Sequence, residues 1–195
     1  MIEERIELEA AAGLGQLKLP PRHDPTLKDY SRISGRVGVF GGSFDPIQNA
    51  HLYIAQAAKE RLSLDYVIFI PTKGNPLKSS SPHSSLDFRV ELIADCIRDN
   101  GSFFVSEIEG EADSSGYTVD TLQRLREKIA PECSTFLILG SDCIKDLARW
   151  HRVHELIAET EFTIIERPGY PIPVPDSIMA QFSDQEVEKL KSSFV

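Results

Sequence analysis

Cysteine is scarce in this sequence. Cys96, Cys133 and Cys143 are odd in number and none stands in a CxxC spacing, so the fold does not rest on a disulfide framework. The three read as reduced thiols of a cytoplasmic protein, a catalytic thiol being the lesser alternative. Basic residues are outnumbered, 21 Lys and Arg against 30 Asp and Glu, for a net charge of -9. That balance argues against a nucleic-acid partner, whose phosphates need a basic face; a small anionic ligand must be met by locally gathered lysine, arginine or histidine. Long apolar runs are missing, Val67 to Pro71 and Phe136 to Leu139 being far too short to span a bilayer, so no membrane partner is expected. The N-terminus opens with Glu3, Glu4 and Glu7 and has no basic flank ahead of an apolar core, unlike a signal peptide. Internal repeats, the Walker lysine motif and GxGxxG are absent too.

What is present is an ordinary soluble composition, 41% hydrophobic and 26% charged over 195 residues, enough for one domain that buries roughly two-thirds of its unfolded surface. Residues 1–35 stand apart: Glu3 to Ala12 could form a short helix, but Gly13, Gly15, Pro20, Pro21 and Pro25 interrupt it, and a loosely packed extension is the simpler reading. From Arg36 onward β-rich runs alternate with helical stripes. Strands are expected at Val37 to Phe40, Tyr66 to Ile70, Phe103 to Ser106, Thr135 to Leu139 and Phe162 to Ile165. Helices are expected at Asn49 to Leu62, with Leu52, Ala55, Ala58 and Leu62 inward; along Leu86, Val90, Ile93 and Ile97; along Val119, Leu122, Leu125 and Ile129; and, in two pieces, from Asp142 to Ala158. Glu107 to Gly116 reads as a polar loop, and Ser183 to Glu186 as a capping box opening a last helix whose Glu186, Glu188, Lys189 and Lys191 face solvent. The alternation predicts an α/β fold, a Rossmann-like doubly wound parallel five-stranded sheet with helices on both faces. Ligands of such sheets sit beyond the carboxyl ends of the strands. Gly41 to Ala50, Pro71 to Ser85 and the chain from Gly140 onward are therefore the candidate loops.

The stretch Val37 to His51 runs from a β-branched strand through Gly41 and Gly42 into a helix N-terminus. Glycines let an anion approach the backbone, and the helix end supplies N–H groups and a positive dipole. His51, in the first turn, can donate to the same anion. Alone, the glycine pair is equally a tight strand-to-helix turn.

Read whole, Gly-Gly-Ser-Phe-Asp-Pro-Ile followed by a histidine that closes a four-residue element resembles the nucleotidylyltransferases of the His/Thr-x-Gly-His superfamily. Five further segments are similar to one family within it, the bacterial nicotinate-nucleotide adenylyltransferases: Asn75-Pro76-Leu77-Lys78, Asp87-Phe88-Arg89, Ser115 to Leu122, Leu137 to Asp142 with Trp150-His151-Arg152, and Arg167 to Tyr170. The resemblance covers residues 36–170, which it marks as the nucleotidylyltransferase domain. It implies transfer of the adenylyl group of ATP to nicotinate mononucleotide, with Mg2+ carried on the ATP phosphates. It also implies roles: Gly41, Gly42, Ser43 and Phe44 along the triphosphate and ribose, His51 and Gln48 on the phosphates, Gly140 and Asp142 on the adenosine. Tyr117 and Thr118 would meet the nicotinate carboxylate, Trp150 would stack on the pyridine ring, Asn75 would join the acceptor site, and Lys78 and Arg89 would contact phosphate. Asp45 is then a structural cap. Trp150 as a core residue and Arg89 as a helix-surface ion pair compete with these roles, and His83, His151 and His154 read as solvated.

Two departures stand out. The motif's four positions are Gln48, Asn49, Ala50 and His51. A glutamine amide exchanges a charge-assisted hydrogen bond of ~1.5–3 kcal/mol for a neutral one of ~0.5–1.5, which slows turnover about five- to tenfold if felt only in the transition state. Residues 171–195 also lack the family's late Ile-Ser-Ser-Thr-x-Ile-Arg element. A catalytically weakened or silent nucleotide-binding homologue acting through a partner is the competing class. An enzyme using phosphopantetheine, or a choline-type phosphate with CTP, is a third reading.

Overall fold

The computed structural model describes residues 23–74, 82–167, 169–170, 172 and 176–194. Five parallel strands, β1 (Arg36–Gly42), β2 (Tyr66–Pro71), β3 (Phe103–Val105), β4 (Ser134–Gly140) and β5 (Glu161–Ile165), form one sheet in the order β3-β2-β1-β4-β5. Helices α1 (Asn49–Leu62), α2 (Leu86–Ile97), α3 (Thr118–Lys128), α4 (Ile144–Leu147) and α5 (Val153–Glu159) intervene, and α6 (Asp176–Met179) and α7 (Asp184–Ser192) follow. Nearly continuous apolar runs make these strands because both faces are covered. Val67, Phe69, Phe40 and Ile138 pack with Ile54, Ala55 and Ala58 of α1 and Val90, Ile93 and Ile97 of α2. On the other face Val39, Ile68, Ile70 and Leu137 pack with Val119, Leu122 and Leu125 of α3, Leu156 and Ile157 of α5, and Leu190 of α7. β1 pairs with β2 on one side and β4 on the other. The strand order therefore reverses between β1 and β4, where a crevice is expected at the carboxyl ends of the strands. No helix among the described residues is long and apolar enough to cross a membrane.

The expected strands and helices are present, with four differences. Residues 23–35 are not loose: Leu27 donates its N–H to Val105 O at 2.8 Å, Val105 returns one to Pro25 O at 2.9 Å, and Leu27 and Ile33 are buried in the core. The expected polar loop contains a 3-10 turn, Ile108–Gly110, with Ile108 and Glu109 buried. The polar face of α7 is partly engaged, since Glu186 Oε1 lies 2.7 Å from His154 Nδ1 and Lys189 Nζ donates to Ala158 O at 3.2 Å. The Ser183 capping box forms as expected. On α1 it is Ile54, with Ala55 and Ala58, that is buried, while Leu52 and Leu62 are half-buried at the rim.

Candidate active site

Packing decides which atoms of the β1 loop face outward. A Cβ on Gly41 would meet nothing within 4 Å, while one on Gly42 would lie 3.0 Å from the Phe44 ring. Gly41 thus leaves open space over the strand end, and Gly42 makes room for Phe44. Phe44 has φ 44°, costly for a residue with a side chain. Its ring, 2% exposed, is held by Phe40, Phe69 and His51 at centroid distances of 5.4, 5.7 and 5.1 Å. Phe44 therefore offers the loop's outer side its main chain.

His51 is set by the helix it begins. Its Nδ1 accepts the Gln48 N–H at 3.0 Å, which puts the proton of the neutral ring on Nε2. Burial, then the Arg167 charge, push its pKa below the ordinary 6.5, with Asp142 opposing. His51 is accordingly a neutral Nε2–H donor at pH 7, and the backbone of Gln48, not its exposed side chain, fixes that state. Ala50 lies exposed in helical backbone, where its methyl group meets no steric objection.

Arg89 departs most from expectation. It is 1% exposed, and its guanidinium donates to Ser43 O at 2.6 Å through Nη1 and to Ser84 O at 3.3 Å through Nε. Buried in this way, it is not a surface ion pair but a strut beneath the loop. Asp45 holds the loop from its other end, accepting the N–H groups of His83 at 2.6 Å and Ser84 at 3.3 Å. Hydrogen bonds from Ser84 and His83 keep its carboxyl below the usual range, as the structural reading of Asp45 requires.

At the end of β4, a Cβ on Gly140 would lie 2.4 Å from Asp142 Oδ1 and 2.7 Å from Arg167 Cδ. Arg167 Nη1 pairs with Asp142 Oδ2 at 2.9 Å, while Asp142 Oδ1 is buried with no hydrogen-bond donor among the described residues. That acceptor suits a hydroxyl or amine of a ligand. Arg167 was legible in the sequence only as part of a similar segment, without a role.

Facing Gly41 is a narrow pocket lined by Gly41, Thr72, Glu109, Thr118, Thr121 and Leu122, among others. Thr118 opens α3 with Tyr117 as its N-cap, so unpaired helix N–H groups lie at this end. Trp150 is half-buried against the core cluster that Tyr117 also joins, with a packed and an open side. Glu109, 2% exposed, accepts from Thr121 Oγ1 and lines the pocket. It was hidden in the sequence within the expected polar loop, where only its apolar neighbour Ile108 hinted at burial. Lys78 and Asn75 lie outside the described residues.

Together, the strand-order switch point, the helix N-terminus and the facing pocket outline a site in an α/β fold whose donors suit a phosphorylated small molecule. The cytidylyltransferase-like family model matches residues 39–194. A Herpetosiphon aurantiacus protein named probable nicotinate-nucleotide adenylyltransferase is 43% identical over 149 residues, 76% of this chain and 74% of that one. Its namesake from Exiguobacterium sibiricum is 39% identical over 158 residues, 81% and 82% of the two chains. The solved Plasmodium falciparum nicotinic acid mononucleotide adenylyltransferase complexed with NaAD shares the fold, with a TM-score of 0.63 at 24% identity over 76% of this chain and 71% of that one. The chain belongs to the cytidylyltransferase-like family and, within it, to the nicotinate-nucleotide adenylyltransferases.

Proposed function

We propose that this protein transfers the adenylyl group of ATP to nicotinate mononucleotide in NAD biosynthesis. A phosphate oxygen of the mononucleotide attacks the α-phosphorus of ATP, the bond to the bridging α–β oxygen breaks, and deamido-NAD and pyrophosphate leave. The attacking phosphate is already ionised at pH 7, so no general base is required, and catalysis consists of aligning two anions and stabilising charge. The observation that carries this reading is the hydrogen bond from Gln48 N–H to His51 Nδ1, which leaves Nε2–H as the ring's donor at the end of the glycine loop.

Gly41, Gly42, Ser43 and the main chain of Phe44 cradle the triphosphate, with Gly140 and Asp142 on the adenosine. Lys78 and Gln48 assist His51. Tyr117, Thr118, Trp150 and Asn75 receive the acceptor. Mg2+ carried on the ATP phosphates would supply charge neutralisation there. Three thiols outside any disulfide suit a reducing, cytoplasmic setting. Residues 36–170 carry the catalytic domain. Gln48 does not favour a silent homologue, because the contact that sets His51 comes from backbone. Pyrophosphate release from ATP and Mg2+ tests the proposal: release with nicotinate mononucleotide supports it. Release only with phosphopantetheine, or none while ATP binds, overturns it.

A further inference from the structure

The loops on the acceptor side are joined by a polar staple centred on Asp120. Its Oδ2 accepts from Ser115 Oγ at 2.6 Å and its Oδ1 from Arg152 Nη1 at 2.9 Å. Ser115 Oγ in turn accepts the Tyr117 N–H at 3.2 Å, so the carboxylate organises the turn that starts α3. Arg152 is also anchored by Glu155, its Nε donating to Oε2 at 2.8 Å. Its φ of 51° is a left-handed conformation that a side-chain-bearing residue keeps only where its surroundings impose it. The His151 and Tyr117 rings stack at 4.1 Å between centroids, 26° from parallel. Two links of different chemistry, the Ser115–Asp120–Arg152 relay and the Tyr117–His151 stack, thus tie residues 115–118 to the turn 150–152.

We propose that Asp120 is a positioning residue for the acceptor: by locking the Trp150 turn against the start of α3 it sets the affinity for nicotinate mononucleotide without touching either substrate. This rests on the acceptor assignment made above. Exposed ion pairs contribute little to stability on their own. A network that fixes two loops in one geometry acts instead on the ordering cost of the ligand they enclose.

Trp150 is the only tryptophan, so its fluorescence reports the turn whether or not the protein turns over. In Asp120→Ala, acrylamide quenching of Trp150 should rise, and KM for nicotinate mononucleotide should increase about tenfold while kcat and KM for ATP stay within about twofold. Asp120→Asn, which keeps size and one acceptor, should fall between, guarding against a folding defect. Arg152→Ala should match Asp120→Ala, and the double variant should be no worse than either alone. Unchanged quenching, a parallel rise in KM for ATP, or multiplying effects of the two single variants would overturn the staple. A wild-type protein that makes no deamido-NAD would instead defeat the acceptor assignment, and quenching would then decide the staple alone.

Discussion

The loop after β1 and the loops that face it across the end of the sheet are held in opposite ways. The first is wired from beneath: Phe44 sinks its ring into the core, Arg89 reaches up from α2 with almost no exposure, and Asp45 clasps the backbone ahead of α2. The second is tied at the surface, through Asp120, Arg152 and Glu155, whose side chains are 30, 40 and 37% exposed. Buried hydrogen bonds to main-chain carbonyls are costly to break, and solvated ion pairs are cheap. Damage on the ATP side should therefore appear in kcat and in stability, and damage on the acceptor side in KM.

The largest effect should come from His51→Ala, which removes the proposed phosphate donor. We expect kcat to fall roughly 10²–10³-fold and the thermal midpoint to drop as well, because the ring also packs against Phe44 and accepts the Gln48 N–H; an unaltered kcat would separate this loop from the chemistry. Next is Arg89→Ala. It removes the guanidinium donors to Ser43 O and Ser84 O, and urea denaturation should show a loss of about 3–5 kcal/mol. A stable variant with raised KM for ATP would return Arg89 to the phosphates and blur the comparison. Trp150→Ala should raise KM for nicotinate mononucleotide about tenfold, the scale of one lost base–aromatic stack, and spare KM for ATP. Equal losses for both substrates would make Trp150 a core residue. Gln48→His, which restores a charge-capable donor, should speed turnover about five- to tenfold.

The smallest effect is a titration. His51 sits below 6.5 because burial, and secondarily Arg167, disfavour its charged form. The folded state then binds fewer protons than the unfolded one below that pH, so His51's share of stability is complete above 6.5 and declines as pH drops towards the depressed folded value. ATP should raise the His51 pKa, since an anion favours imidazolium. Proton resonances of the ring would show both, and a pKa indifferent to ATP would place the phosphates elsewhere.

Much of this is legible in the sequence. Periodicity located the strands and helices because a two-sided parallel sheet writes itself as apolar runs between amphipathic stripes, and the glycine-to-histidine segment marked the crevice. What sequence could not supply was burial of polar groups. An arginine three residues into a helix carries the same letters whether it meets solvent, phosphate or, as Arg89 does, two carbonyls under a loop. Residues 23–35 looked loose because their prolines and glycines break helices. Yet an extended segment needs only a strand edge, and β3 provides one at Val105. The Asp120 staple escaped because its partners are 5 and 32 positions away in sequence, and no spacing rule joins them.

If one end of this sheet joins two anionic nucleotides, product analysis will show it. Purified protein given ATP, Mg2+ and nicotinate mononucleotide should form deamido-NAD and pyrophosphate in equal amounts, and His51→Ala should nearly abolish both. ATP consumed without deamido-NAD, or product formed at an undiminished rate by His51→Ala, would contradict it.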